Sequence, residues 1–486
     1  MSSVPDPADR VESLRRLGWF REEFYACLTR RPDALFELTD ALLCADGPVQ
    51  SLVGLSLTVE HRRGHGALYD AINHGRVDLG RLRQAVTALP VPLAADGRIV
   101  LAIDVSPWLR REAHTSPERL YCHVSGQTRA QDQRVPGWPY SIVAALETGR
   151  TSWTAILDAV RLGPADDEMA VACAQLREVI DRLITAGHWR PGDPPILIVT
   201  DSGYDTARLA HDLAGLPLQI LGRLRTSRVM RLPAPQRTPT TVGRPRHHGP
   251  ELRLSDESTW PQPAHHTRTE TRRYGIAQAV AWNRVHPRLT RRAAWISHSG
   301  PLPILEGTLI RLTVDRVPSG QNPKPIWLWC STPDLSAAQV NLLWQAYLRR
   351  FDLEHTFRLL KQTLGWTRPR LRDPAAADTW TWTWTWLIIA AHNQLRLARS
   401  LADDLRRPWE KPATSARTGR LSPTRARRAF RNLRPQTSQP AQAPKRTRPG
   451  PGRPPGSPNR HRAPHHDVGK TIHRARTQAD LQKPEG

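Results

Sequence analysis

The chain has 486 residues, which is long enough for two or three domains and a large core. Its 70 basic residues against 45 acidic ones give a formal net charge of +25, which favours a polyanionic partner, most often nucleic acid. Five scattered cysteines form no CxxC or Cys/His cluster, which argues against a zinc finger or a disulfide framework.

Two further properties concern the compartment. The odd number of cysteines fits a reducing cytoplasm. No apolar run approaches the length of a membrane span, and no N-terminal signal is visible. We therefore expect a soluble intracellular protein with no membrane partner.

The first part of the chain, residues 1–95, is expected to be a small helical domain. Apolar residues recur at helical spacing, with breaks at Pro32 and Gly75, and basic residues are spread along the segment. Such a domain is either a DNA-binding module or a simple scaffold.

Residues 96–228 have the texture of a mixed α/β sheet. Short apolar runs, two of which end in Asp104 and Asp201, alternate with helical patterns, and the clearest helix closes at Gly187. Asp205 is well placed as the N-cap of the helix that follows Asp201.

The rest of the chain divides into three segments. Residues 229–307 are rich in Pro, Arg, His and Trp and read as a strand- and loop-rich insertion, with strand candidates at 276–282 and 292–297. Residues 308–403 complete the α/β core with two strands and two helices. Residues 404–486 are basic and poor in apolar residues, so we expect a disordered tail.

The run TWTWTWTW, Thr379–Trp386, leaves two interpretations open. Its period of two predicts a strand with Trp on one face. Its position before an apolar helix predicts a helix start instead. We assign it no chemistry.

Asp104 and Asp201 are each a single carboxylate at the end of a buried strand. In α/β sheets, sites assemble at that edge, and two converging carboxylates repel each other unless a cation lies between them. Mg²⁺ or Mn²⁺ is the natural choice for oxygen ligands. The alternative for either residue alone is a turn or a helix cap.

A third acid lies on a helix predicted over Tyr347–Trp366. At about 100° per residue, Tyr347, Arg350, Glu354 and Lys361 fall within roughly a 60° arc beside an apolar stripe. Glu354 is thus at the edge of the buried face. The alternative is an ordinary surface ion network among Arg350, Glu354 and Lys361.

The pattern Tyr347–x2–Arg350–x3–Glu354–x6–Lys361 resembles the signature of bacterial insertion-sequence transposases of the IS4 group. The segments around Asp201 and over Gly137–Leu146 are most similar to the IS701-type branch. The resemblance covers about residues 98–400. It implies an RNase H-like catalytic domain with a strand-rich insertion before the last acid, and a catalytic and metal-binding Asp-Asp-Glu triad of Asp104, Asp201 and Glu354.

The resemblance also implies a mechanism. Three carboxylates would hold two Mg²⁺ or Mn²⁺ ions about 4 Å apart, and the enzyme would cut double-stranded DNA at the element ends and join the 3′-OH to target DNA. Tyr347, Arg350 and Lys361 would contact phosphates. Trp260 or Trp282 would stack on a flipped base, unless both are core residues.

The resemblance further implies a bacterial cytoplasmic protein associated with the nucleoid, acting as a homodimer in the synaptic complex. Three alternatives stay open. One is a metal-dependent nuclease of the same fold without strand transfer. Another is an inactivated DNA-binding descendant of a transposase. An RNA-binding protein would fit the charge, but no RRM or KH signature is visible.

Overall fold

The structure is a computed structural model that describes nine parts of the chain. They are residues 7–124, 133–149, 151–236, 244–317, 320, 322–370, 377–410, 421–445 and 468–469.

Helices dominate the first described segment, as the amphipathic spacing predicts. Pro32 does not interrupt a helix but begins one, because proline fits the first helical position, where its missing N–H is not needed. The elements are α1 Pro7–Ala26, β1 Leu28–Arg30, α2 Pro32–Cys44, α3 Leu52–Ser56, α4 His65–His74, β2 Arg76–Val77 and α5 Leu79–Thr87. The domain limit at residue 95 stays a prediction.

The centre of the molecule is a mixed α/β fold built on one large sheet. Its first strands are β3 Val100–Leu109, β4 Leu120–Val124, β5 Gln133–Leu146, β6 Thr154–Arg161, β7 Ile196–Thr200 and β8 Leu218–Leu224, with helices α6 Glu168–Thr185 and α7 Thr206–Asp212 between them. Strand β3 is antiparallel to β5 and parallel to β7, and β7 is parallel to β8. This order, with β6 antiparallel to β5, is consistent with an RNase H-like domain.

Residues 229–307 contain strands that extend this same sheet. They are β9 Val229–Arg231, β10 Glu251–Arg253, β11 His265–Thr271 and β12 Gly275–Pro287, and the sheet reaches them from β8 through β14 Ile326–Cys330 and β13 Gly307–Val314. The prediction of a strand at 292–297 is wrong, because the chain there forms a short 3-10 turn, Ala293–Trp295.

The helix predicted over 347–366 is the end of a longer helical segment. Helix α8, Ala337–Arg349, starts at a capping box in which the Ser336 hydroxyl accepts from the Gln339 N–H and the Gln339 side chain accepts from the Ser336 N–H. Helix α9, Phe351–Arg358, follows directly and runs into a π-helical turn, Leu359–Thr363. The segment stops at Gly365, as predicted, with φ of 70°.

The alternating Thr-Trp run is helical. The helix predicted from its position before an apolar segment is confirmed, and the strand predicted from its period of two is wrong. It lies within α10, Ala377–Ala398. The indole N–H of Trp384 donates to the carbonyl of Trp366, and the indole N–H of Trp366 donates to the Thr385 hydroxyl. Tryptophan side chains of α10 thus pack under the end of the preceding helical segment.

The prediction of a disordered tail over 404–486 is wrong for residues 421–445. Helix α11, Pro423–Leu433, packs on the N-terminal helices, with Ala426, Phe430 and Leu433 buried in the large core. Arg427 donates to the carbonyl oxygens of Leu42 and Gly47 at 2.8 and 2.6 Å. The basic composition of the tail predicts disorder, but it does not reveal that an arginine of this helix hydrogen-bonds to acceptors inside the fold. Residues 411–420, 446–467 and 470–486 lie outside the described part.

All five cysteines are free and buried. Over the described residues, no helix combines the length and the apolar composition that crossing a bilayer requires.

Replacement of Phe430 by Ala should lower the free energy of unfolding by about 3–5 kcal/mol, because it leaves a cavity under α11. Urea denaturation followed by circular dichroism measures this. Asn432→Ala on the exposed face of the same helix is the control. Equal midpoints for the two variants would mean that α11 does not pack on the core.

Candidate active site

Two acids come together because two neighbouring parallel strands carry them. Strands β3 and β7 pair with Ala102 opposite Val199. Two residues further on, the same register sets Asp104 opposite Asp201. Asp201 directly follows the last residue of β7, as the sequence predicts.

Asp104 does not end its strand, contrary to the prediction. Strand β3 continues to Leu109 because β5 pairs with it along its whole length, including Asp104 opposite Ile142. Asp104 therefore projects from the middle of a long strand, which holds its backbone rigidly. The prediction for Asp205 is confirmed, since its carboxylate accepts from the Arg208 N–H and caps α7.

The alternation of side chains decides which face the acids occupy. Ala102 and Val199 belong to the large core on the face covered by α8 and α9, whereas Leu101 and Ile198 face α6. Asp104 follows the series of Ala102 and so projects toward the helices. This is the face on which α9 carries Glu354.

One guanidinium lies between the three acids. Arg350 contacts Asp104 Oδ2 through Nη1 at 2.8 Å, and Glu354 Oε1 and Asp201 Oδ2 through Nη2 at 3.2 and 3.9 Å. Arg350 sits where α8 meets α9, and only 6% of its side chain is exposed. The structure thus brings together Asp104, Asp201 and Glu354, which are far apart in sequence, around a buried cation.

The three carboxylates differ in their access to solvent. The exposed fraction of the side chain is 24% for Asp104, 35% for Asp201 and 49% for Glu354. Burial raises the pKa of Asp104, Arg350 opposes this, and the charges of Asp201 and Glu354 add to the rise. Burial by itself would lower the pKa of Arg350, but the carboxylates, Asp104 first, raise it above its ordinary value. The site is open on the Glu354 side.

The donor set fits a hard divalent cation. Carboxylate oxygens are the ligands that Mg²⁺ and Mn²⁺ prefer, and Asp201 Oδ1 is buried without a hydrogen-bond partner. Over the described residues, no three His, Cys, Asp or Glu side chains are placed to hold one ion. In this arrangement Arg350 supplies the positive charge, so a metal ion would have to replace its guanidinium.

Of the residues expected at DNA, Tyr347 and Arg350 are both buried. The Tyr347 side chain belongs to the large core, and burial raises its pKa. Arg350 is directed at the acids. Lys361 is half-buried with its ammonium 5.7 Å from the centre of the Trp366 ring. The π-helical turn shifts Lys361 from the position that regular helical geometry gives it.

The two tryptophans of the insertion pack with each other. The ring centres of Trp260 and Trp282 are 5.9 Å apart, and Trp282 stacks on Trp327 at 5.8 Å. Their indole N–H groups donate to backbone carbonyl oxygens of Arg253 and Pro261. Trp282 is buried and Trp260 half-buried, which agrees with the core alternative.

Sequence reasoning missed one acid near Asp104 and three arginines that line a separate cleft. Glu168, the first residue of α6, has its pKa raised by burial and then by the charge of Asp104. Arg110 directly follows β3, and Arg368 and Arg370 follow Gly365. All three arginines line a cleft together with Lys361. The basic run TRPRLR after the helix was the available signal for the last two.

A comparison with protein families places the chain. The family described as DDE superfamily endonuclease matches residues 23–288, which is more than half of the chain. The chain belongs to this DDE endonuclease family. The matched region contains Asp104 and Asp201 and ends before Glu354. No curated protein matches the chain.

Membership supports a transposase-type DNA endonuclease that depends on divalent metal. The IS4-group and IS701-type assignments of this DDE endonuclease stay predictions, as do the roles of its individual site residues.

Replacement of Arg350 by Gln in this DDE endonuclease should cost roughly 2–3 kcal/mol of unfolding free energy in EDTA, because it leaves three acids without a counter-charge. Mn²⁺ should then raise the melting temperature more in the variant than in the wild type, since no guanidinium competes with the ion. Differential scanning calorimetry with and without Mn²⁺ measures both effects.

The matched control for Arg350 is Arg349→Gln. Arg349 is the neighbouring residue, and it pairs with Asp352 rather than with the three acids. It should lose stability but show the wild-type response to Mn²⁺. An identical Mn²⁺ response in all three proteins would contradict the competition between Arg350 and metal.

Proposed function

We propose that this protein is a DNA transposase in which Asp104, Asp201 and Glu354 form the metal-binding catalytic triad. The observation that supports the proposal is the meeting of these three carboxylates at one buried guanidinium, in a chain of the DDE endonuclease family. The proposed reactions are cleavage at the ends of an insertion sequence and transfer of the 3′-OH to target DNA.

The three acids lie on different secondary-structure elements, which hold their carboxylates with different rigidity. Asp104 is held within a long paired strand, and Asp201 follows a strand buried between two others. These two define a rigid pair. Glu354 is on a helix and half-exposed, so its carboxylate can adjust to what the pair binds.

Bound Mg²⁺ or Mn²⁺ would supply Lewis-acid activation of the attacking oxygen and stabilisation of the leaving 3′-oxygen. The residues of the chain fix where that chemistry occurs. Asp201 offers an oxygen that has no hydrogen bond, and Asp104 offers one held by Arg350. The side of Glu354 is open for a phosphodiester to approach.

Arg350 has a second role in this proposal. A guanidinium balances carboxylates or contacts phosphate oxygens by the same N–H groups. Its Nε is buried and has no hydrogen-bond partner among the described residues. Arg350 can therefore act as counter-charge in the free enzyme and turn to a phosphate when the acids are neutralised, which retains the predicted phosphate contact for the DNA-bound state.

A nuclease without strand transfer is the second candidate function. The description of the matched family as endonuclease favours it, since that description names cleavage alone. Both candidates use the same triad, so only the fate of the 3′-OH distinguishes them. An inactivated DNA-binding descendant would need neither the triad nor metal.

Asp201→Asn should reduce Mg²⁺-dependent cleavage of duplex DNA by at least about a thousand-fold, because it removes a charged ligand from the metal site. Asp205→Asn is the matched control. Asp205 is four residues away, caps α7 and pairs with Arg228 at 3.0 Å. Its variant should keep activity at the cost of stability. Cleavage that survives Asp201→Asn would refute the proposed triad.

Strand transfer needs its own assay. A labelled duplex copied from the DNA that flanks the gene, with a recessed 3′-OH at the element end, is incubated with supercoiled plasmid and Mg²⁺. A transposase joins the label to the plasmid, and crosslinking should show two protein copies holding the paired ends. Cleavage without any joined product would favour the nuclease.

A further inference from the structure

A cleft of about 520 Å³ lies between the N-terminal helices, the end of β3 and the helical turn that contains Lys361. Four of its lining residues are basic, namely Arg110, Lys361, Arg368 and Arg370, and we call it the cationic cleft. Its opposite wall comes from the N-terminal segment and includes Gln50, Ser51 and Tyr69.

The basic side chains of the cationic cleft have few acidic partners. Arg110 Nη2 is buried without a hydrogen-bond partner, and its guanidinium lies 5.6 Å from the Trp108 ring. Arg370 approaches one acid, Glu112, at 3.9 Å, and both of these side chains are largely exposed. No ion pair of Lys361 or Arg368 occurs among the described residues. Four cations in one cleft with so little compensation fit an anionic ligand.

Burial perturbs two of these cations. It lowers the pKa of Lys361 to about 8, against smaller upward contributions from Cys122 and Asp104. It lowers the pKa of Arg110 to about 10. A phosphate in the cleft would stabilise both charged forms.

The cationic cleft is lined by residues that follow Asp104 and Glu354 along the same strand and the same helical segment. Arg110 directly follows β3 and is six residues beyond Asp104, which at about 3.3 Å per residue of extended chain is roughly 20 Å. Lys361 is on the helical segment that carries Glu354, and its pKa responds to the charge of Asp104. At 3.4 Å per base pair, the reach from Asp104 to Arg110 equals about six base pairs.

The two walls of the cationic cleft are fixed to each other. The Val49 N–H donates to the Thr363 carbonyl at 3.0 Å. Gly365 has a φ of 70°, and a Cβ there would lie 2.9 Å from the carbonyl oxygen of Val49. Only glycine allows this close approach without strain, so the cleft is formed before any ligand binds.

We propose that the cationic cleft is a second DNA site that holds backbone phosphates of the duplex several base pairs from the scissile phosphate. The proposal rests on the proposed function and extends it to Arg110, Arg368 and Arg370. Arginine forks match phosphate oxygens, and Gln50, Ser51 and Tyr69 add neutral hydrogen-bonding groups typical of backbone contacts. The N-terminal wall then gives the N-terminal segment a role in DNA binding.

The test measures binding in EDTA, so that cleavage plays no part. A 30-base-pair fluorescein-labelled duplex is titrated with the full-length protein, and anisotropy is followed at several salt concentrations. Arg368→Gln and Arg370→Gln should each weaken binding about three- to ten-fold and flatten the salt dependence by about 0.9 in log–log slope, the loss of one phosphate contact.

Arg190→Gln is the matched control, because Arg190 is also exposed but precedes β7, at the end of the sheet away from the acids. It makes the same charge change and should leave affinity and slope near the wild-type values. All four proteins should melt alike, since the replaced side chains are exposed. Wild-type affinity and slope in both cleft variants would overturn the proposal.

Lys361 gives a second readout that a structural role would not produce. With a pKa of about 8, it is charged below that pH and neutral above it, so wild-type affinity should fall between pH 7 and pH 9. Lys361→Arg should remove this fall. The charged and titratable groups around it are Asp104, Arg110, Cys122, Tyr69, Arg368 and Arg370. An unchanged pH dependence in the variant would count against the proposal.

Two outcomes separate this proposal from others. Displacement of the duplex by a poly-glutamate peptide at comparable concentration, with no preference for DNA, would indicate an acidic protein partner and overturn it. Cleavage that survives Asp201→Asn would refute the triad and leave the binding result standing. If the cleft variants cleave DNA normally and bind it as the wild type does, the proposed DNA site in the cationic cleft is refuted and the proposed triad is unaffected.

Discussion

The site depends on one electrostatic constraint, the need of three converging carboxylates for a positive charge. Two of them come from neighbouring parallel strands whose register leaves them side by side, and the third comes from a helix packed on the same face. Without a cation, such an arrangement would be unstable. Arg350 supplies that cation from the junction of α8 and α9, so the free protein can fold with its acids assembled.

The sheet explains how residues so distant in sequence reach one place. After Asp201 the chain passes through α7 and β8, and the insertion then adds strands β9–β12 beyond β13 and β14. Strands β13 and β14 return the chain to β8, next to β7, before α8 begins. The insertion therefore lengthens the sheet without displacing the path that delivers Glu354. Trp282 of the insertion packs with Trp327 and Trp329 of β14 in a hydrophobic cluster separate from the large core.

Sequence patterns predicted the local elements of the site and missed what depends on tertiary neighbours. Asp201 at a strand end, Asp205 as a cap and Gly365 as a helix stop follow from local chemistry. Asp104 in mid-strand depends on β5, whose pairing no local pattern reveals. Helical spacing placed Arg350 on the same side of the helix as Glu354. Its burial among the acids could not be predicted, because it depends on how α8 and α9 pack on the sheet. The folded α11 was missed because composition was judged over the whole tail.

The charge of the protein can be understood at two levels. Many arginines are structural: Arg21 and Arg434 both pair with the buried Asp40, and Arg427 donates to backbone carbonyls. These side chains hold the tail and the N-terminal helices together and are not available to a ligand. The cations of the cationic cleft are different, because the fold gives them a position but little counter-charge. A large net charge favours an anionic partner without locating its site. Arginines with little counter-charge mark the cleft where we propose that this partner binds.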